Sequence, residues 1–176
     1  HSFPTRRSSD LDGMLFRCPD LSATGLHKEM RITAEDRARK VAELVSSKPD
    51  VPWLLWCNTN YEADAIKAVL PQAVDVRGSD SPEKKEAALI GFADGNIQIM
   101  LSKPGIAGFG MNYQHCADMA FVGLSYSFEN LFQAIRRCWR FGQTKPVSAH
   151  LVIAETEGAV LDSIRRKERQ YEELQS

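Results

Sequence analysis

The sequence predicts an α/β fold: a three-layer sandwich with a mainly parallel sheet between two layers of helices. Two observations carry this. Short apolar runs alternate with longer segments of helical periodicity, and the runs are continuous, as in strands buried on both faces. Each run ends in small polar residues or glycine before the next helical segment, the pattern of βαβ units. The totals fit one well-packed domain: 176 residues, 43% apolar and 26% charged.

The elements follow in order. Residues 1–11 resemble the conceptual translation of a sequencing-adapter primer and are set aside as non-native; a larger N-terminal part is expected to be missing. Residues 12–31 read as an irregular linker, and residues 32–176 as the domain proper. Thr33 with Asp36 three positions on has capping-box spacing, predicting a helix to about Ser47 that Lys48-Pro49 stops. The apolar run at 51–57 predicts a strand, and Asn58-Thr59-Asn60 a turn and cap before a helix over 61–70. A second strand is expected at 73–76. Ser81-Pro82-Glu83 then supplies a cap, a proline at the first helical position and a first-turn acid, for a helix that turns Leu89, Ile90 and Phe92 inward. A third strand over 97–101 leads into a glycine-rich loop at 102–112, and a fourth strand lies over 119–124. Ser127 caps an arginine-rich helix, the last strand covers 149–153, and a charged amphipathic helix starts at 157 with Val160, Ile164 and Tyr171 on one stripe.

Several function classes fall away. A formal net charge of -1 confines any nucleic-acid surface to a local patch. Cys18, Cys57, Cys116 and Cys138 are far apart with no Cys-x-x-Cys pair, which argues against a disulfide framework or zinc site and suits a reducing cytoplasm. No apolar run approaches the roughly 20 residues of a membrane span, so no membrane partner is expected. His115-Cys116 lacks a partner at metal-ligand spacing and reads as a loop or core pair. Trp53 and Trp56 read as core, and the basic run at 165–169 as a solvated helix face.

Ligands of such sheets bind beyond the carboxyl ends of the strands. Asn58, Arg77, Ser102 and Lys103 fall there, and the arginine helix is expected to share that edge. The groups suit binding of phosphates; no paired carboxylates or Ser-His-Asp arrangement accompany them. At about 100° per residue, Gln133, Arg137 and Arg140 fall on one stripe of a helix, with Leu131, Ile135 and Cys138 opposite. Two guanidinium forks side by side are a usual protein answer to phosphate oxygens.

Residues 133–143, Gln-Ala-Ile-Arg-Arg-Cys-Trp-Arg-Phe-Gly-Gln, resemble motif VI of Swi2/Snf2-type superfamily 2 helicases. Gly108-Phe-Gly-Met-Asn112 is similar to the Gly-x-Gly-Leu-Asn of motif V, and the wording Ser-Lys-Pro…Gly-Phe-Gly is nearest to phage and prophage members. The segment over 53–58 occupies the place of motif IV, and Arg77-Gly78-Ser79 with Phe92 matches the stretch between motifs IV and V. This sequence departs from the family pattern at two positions of that motif: Arg136 stands where glycine is frequent, and Trp139 where histidine is frequent.

The resemblance implies a RecA-like second lobe, the helicase C-terminal domain of an ATP-dependent DNA helicase or translocase. Arg137 and Arg140 match its arginine fingers, and Gln133, Gly108 and Gly110 its ATP-site and lobe interface. Ser102, Lys103 and Asn112, with Asn58 and Arg77, match positions that contact the nucleic-acid backbone. ATP with Mg2+ is then bound mainly by a missing first lobe, because this chain has no Gly-x4-Gly-Lys-Ser/Thr loop and no Asp-Glu box. The implied partners are DNA and that N-terminal lobe, the implied compartment is the cytoplasm of a bacterial or phage-infected cell, and this chain alone should not hydrolyse ATP. A non-catalytic nucleic-acid-binding module that keeps the fold remains the alternative. A free-standing flavodoxin-like nucleotide enzyme is disfavoured, for want of a Gly-x-Gly-x-x-Gly after the first strand.

Overall fold

A computed structural model describes residues 28, 30–107, 112–123, 128–154 and 158–175. Five strands, β1 (Trp53–Cys57), β2 (Val74–Val76), β3 (Ile99–Ser102), β4 (Asp118–Val122) and β5 (Ser148–Val152), form one sheet in the order β2-β3-β1-β4-β5. Every pairing is parallel. Six helices accompany them: α1 (Ala34–Ser47), α2 (Asn60–Val69), α3 (Pro82–Ala93), α4 (Pro104–Ala107), α5 (Phe128–Ile135) and α6 (Gly158–Gln175).

The side-chain alternation of β1 divides the core. Trp53, Leu55 and Cys57 belong to one cluster with Ala38, Val41 and Val45 of α1 and Ala63 and Ile66 of α2. Leu54 and Trp56 point the other way, toward Phe92 of α3, Tyr113, Cys116, and Ala134 and Cys138 of the α5 region. This makes the three layers. All five residues of β1 are buried, as the unbroken apolar run requires. Each large apolar side chain so buried contributes at most about 1.5–3 kcal/mol. Both tryptophans are core: Trp53 donates its indole N–H to the Lys48 carbonyl at 3.0 Å, and Trp56 stacks on Phe121 at 6.4 Å.

Local sequence explains most boundaries. Ser81 accepts from the Lys84 amide and Pro82 takes the first helical position of α3. Thr59 and Glu62 form a reciprocal capping box for α2. Glu62 does more than cap. One of its carboxylate oxygens takes the amides of Asn58 and Thr59 and the Thr59 hydroxyl, while the other takes the Arg37 guanidinium from α1. Both side chains are buried, at 0% and 3% exposure, so each charge depends on the other. Removing one partner from such a pair costs about 3–5 kcal/mol. Gly123, at the end of β4 with φ +93°, lies against the pair; a Cβ there would stand 2.4 Å from a Glu62 carboxylate oxygen.

Three expectations change. Thr33 does not cap α1 by side chain, because its hydroxyl donates to the Met30 carbonyl and accepts from Arg37, and helical residues already precede it. In α3, Ala88 and Phe92 are buried but Ile90 is 43% exposed, since the helix packs on only one stripe. Most consequential, α5 stops at Ile135. Ser127 and the inner side chains expected at Val160 and Ile164 lie outside what is described.

Candidate functional site

The two arginines sit on the turn that follows α5, not within the helix. Past Ile135 the amides of Arg137 and Cys138 bond three residues back, to Ala134 and Ile135, at 3.2 Å each, tightening the chain. The turn then reverses at Gly142, whose φ of +92° suits glycine. Cys138 is fully buried, as its place opposite the arginines predicts, while Trp139, Arg140 and Phe141 are exposed.

Arg137 is the electrostatic oddity of this turn. Its Nε is shielded from solvent and has no hydrogen-bond partner. Burial lowers its pKa from the ordinary value, and the charges of Arg140 and Arg136 lower it further, against a smaller opposing effect of Tyr113. Three arginines thus crowd one turn, and among the described residues no carboxylate is paired with Arg137.

The turn is held from behind. The Tyr113 amide donates to the Arg137 carbonyl at 2.8 Å, and the Gln114 side-chain amide to the Phe141 carbonyl at 2.8 Å. The Gln143 side-chain amide donates to two carbonyls at once, Cys116 at 2.9 Å and Cys138 at 3.1 Å. Residues 113–117 run directly into β4, and the Ser148 amide that opens β5 donates to the Ala117 carbonyl at 2.7 Å. The arginine turn therefore lies at the amino end of β4 and β5. The expectation that it shares an edge with Asn58, Ser102 and Lys103 is corrected. The reason is direction: α5 starts from the carboxyl end of β4 and runs back, so its last residues reach the opposite end.

At the carboxyl edge, Asn58 is half-buried with its amide held by Glu62. Lys103 donates to the Asn60 side-chain carbonyl at 2.9 Å. Ser102 is buried, and its hydroxyl donates to the Val76 carbonyl at 3.2 Å, so it faces inward. Arg77 donates to Asp75 at 2.6 Å and to Asp64, and these hydrogen bonds to the two carboxylates raise its pKa. Gln133 is exposed on α5. Gly108 and Gly110 lie outside the described residues. Asn112 is exposed and adjoins Tyr113, which puts it beside Arg137 and away from Lys103. The segment between Lys103 and Tyr113 hence joins the two ends of the sheet.

A cleft of about 620 Å3 opens beside Arg140, between the turn and the C-terminal half of α6. The ring of Phe132 lies 5.2 Å from that of Tyr171, and the Arg136 guanidinium sits 5.6 Å over the Phe132 ring. Sequence reasoning missed this cleft, and missed Gln114 and Glu62 as supports. Only Glu62 had a signal, the Thr-x-x-Glu spacing at 59–62.

Among the described residues no cluster of His, Cys, Asp or Glu could hold a metal ion, and no helix is long and apolar enough to cross a membrane. Cys57, Cys116 and Cys138 are free and buried. Burial pushes the Cys57 thiol up to about 12, with Glu62 next in effect. A hydrogen bond with Cys116 and then burial raise Cys138. These thiols are packing groups. His115 stacks edge-on to Phe92 at 5.0 Å, and burial lowers its pKa.

Comparisons with known proteins agree with this architecture. The model of the family described as helicase conserved C-terminal domain matches residues 36–142. No curated protein matches the chain. Among solved structures, the C-terminal part of the Fun30 ATPase domain is similar with a TM-score of 0.63 and 20% identity, over 73% of this chain and 44% of that one. The C-terminal domain of the DEAD-box protein Dbp5 gives 0.63 and 15%, over 75% and 78%. An S. cerevisiae Dbp5 variant bound to RNA and ADP BeF3 gives 0.66 and 15%, over 76% and 36%. This chain thus spans less than half of the Fun30 chain it resembles.

Proposed function

The chain belongs to the helicase conserved C-terminal domain family, and we propose that it is the second RecA-like lobe of an ATP-dependent DNA helicase or translocase of the Swi2/Snf2 type. Helicase C-terminal domains belong to ATP-dependent helicases, which are hydrolases. In this reading Arg137 and Arg140 are the arginine fingers that reach the γ-phosphate of ATP held, with Mg2+, by a first lobe. One observation carries it: a half-buried guanidinium whose Nε has no hydrogen-bond partner, beside an exposed one, on a turn braced by four backbone-directed hydrogen bonds.

The chemistry follows from that geometry. Phosphoryl transfer spreads negative charge over the γ-phosphate oxygens, and fixed cations aimed at that charge stabilise it more in the transition state than before it. Arg137, half-buried with its Nε shielded from solvent, would interact with an arriving anion more strongly than a fully exposed cation. Arg140, exposed, supplies the second fork. ATP with its metal ion, held by the first lobe, would supply the scissile phosphoanhydride and further positive charge, while Arg137 and Arg140 would supply the two guanidinium forks. Asn58, Lys103 and Arg77 would meet the nucleic-acid backbone at the other end of the sheet, with Lys103 and Arg77 first released from Asn60 and from Asp64 and Asp75. Asn112, beside Arg137, suits a coupling role between the two ends better than a backbone contact.

The test uses a two-lobed protein containing this chain. Arg137→Ala and Arg140→Ala should each lower DNA-stimulated ATP hydrolysis by about 10³-fold or more, with DNA binding kept. Arg137→Lys should fail to restore it, because a lysine lacks the planar fork. Full activity in both alanine variants would overturn the finger assignment. Equal stimulation by RNA and DNA would overturn the DNA assignment alone.

A further inference from the structure

We propose that Arg37 and Glu62 form a positioning pair for the nucleic-acid contact at the carboxyl edge of the sheet, fixing that edge to the segment of chain that enters α1. The proposal rests on the second-lobe reading above and adds to it two residues that touch no ligand themselves. Glu62 supplies the first half of the argument. One of its carboxylate oxygens accepts the Asn58 amide at 3.0 Å, the Thr59 amide at 3.1 Å and the Thr59 hydroxyl at 3.0 Å. The next residue, Asn60, receives the Lys103 ammonium at 2.9 Å. Asn58 and Lys103, both directed at the nucleic-acid backbone in that reading, are thus oriented around one buried carboxylate.

Arg37 supplies the second half. Its Nη1 donates to the other Glu62 oxygen at 2.5 Å, its Nε to the Thr33 hydroxyl at 3.1 Å, and its Nη2 to the Met30 carbonyl. A planar fork holds such partners in fixed relation, where a lone ammonium would swivel between them. A second contact joins the same two places. The Arg31 guanidinium lies 5.4 Å from the centre of the Tyr61 ring, one residue before Glu62. The segment over 30–33 therefore grips the start of α2 twice. In the second-lobe reading the first lobe precedes that segment, so a shift between lobes reaches Asn58 through Arg37 and Glu62.

The pair has no slack in which to absorb such a shift. At Gly123, the end of β4, an added Cβ would run into a Glu62 carboxylate oxygen and stand 2.8 Å from the Arg37 guanidinium and 3.3 Å from the Met30 methyl. Capping α2 does not by itself call for this arrangement. A Thr-x-x-Glu box satisfies the same amides without a buried arginine. A buried ion pair is also often no more stable than apolar residues of its volume. Positioning accounts for the second charge and for its three-way fork.

The two-lobed protein containing this chain is assayed for ATP hydrolysis against the concentration of duplex DNA. Truncating one partner strands a buried charge. The test variant is therefore Arg37→Met with Glu62→Gln, which removes both charges and keeps a carbonyl oxygen for the Asn58 and Thr59 amides. It should melt within about 5 °C of the wild type. It should keep kcat at saturating DNA within about twofold, while half-maximal stimulation takes about tenfold more DNA. Arg37→Lys, which keeps the buried cation but not the fork to Met30 and Thr33, should shift the DNA requirement in the same direction. Lys103→Ala should raise that requirement in the wild type and raise it no further in the double variant. Folded variants with the wild-type DNA requirement would make the pair structural only and overturn the proposal, as would fully additive losses with Lys103→Ala. A wild type without any response to DNA would overturn the second-lobe reading and this proposal together; the other outcomes leave that reading standing.

Discussion

A single side chain shows how burial sets behaviour near neutral pH. His115 lies edge-on to Phe92, and burial depresses its pKa below the ordinary 6.5, against a smaller raising effect of a backbone hydrogen bond with Phe92. The folded form therefore binds a proton less readily than the unfolded chain. Stability from this group is full above the unfolded pKa and is lost as pH falls through it toward the folded value. Melting temperature should drop between about pH 7 and pH 5, and His115→Gln should flatten that slope. An unchanged slope in the variant would clear His115 of the effect. Arg137 behaves differently. Its pKa is lowered by burial and by Arg140 and Arg136, yet guanidinium stays charged at any working pH, so it adds no pH dependence near neutrality.

At the scale of elements, Gln143 fastens the arginine turn. That one amide bridges the Cys116 and Cys138 carbonyls, tying the turn to the segment entering β4. In the two-lobed protein Gln143→Ala should lower kcat for ATP about 10- to 100-fold while sparing KM, and should add nothing once Arg140 is already alanine. Additive losses would mean that Gln143 acts elsewhere. Sequence patterning read α2, α3 and the strands within a few residues, because caps and proline lie locally: Thr59 with Glu62, Ser81 with Pro82. It overran α5 because helical spacing persists through a tightened turn, so Cys138 stays buried whether or not the helix continues. The opposite placement of Lys103 and Arg137 was illegible for a different reason. It depends on which way α5 runs over the sheet, a tertiary fact that no residue near Arg137 encodes. Glu62 with Arg37 was hidden likewise, since the partners are 25 positions apart.

For the whole molecule, two ends of one sheet serve two ligands in the proposed reading. A five-residue strand is about 16 Å long, so the phosphate-directed turn and the carboxyl edge are separated by that distance. Lys103 and Tyr113, described residues on either side of 108–111, lie at opposite ends of the sheet. With a net charge of -1, attraction to DNA must come from local cations such as Lys103. The isolated chain should bind DNA weakly, with affinity falling steeply between about 50 and 200 mM salt. Salt-independent binding, measured by anisotropy of a labelled duplex, would contradict an electrostatic contact. The strand order also has a consequence for how the protein is made. The central, wholly apolar β1 pairs with β3 and β4, and neither is its neighbour in the chain. At ribosomal speeds of about 5–20 residues per second, Trp53–Cys57 emerges seconds before Ile99 and longer before Asp118. Throughout that interval a nascent chain carries two tryptophans and two leucines on an unpaired strand. Its yield in a cell is therefore governed by what shelters that strand during synthesis, as much as by the stability of the finished sheet.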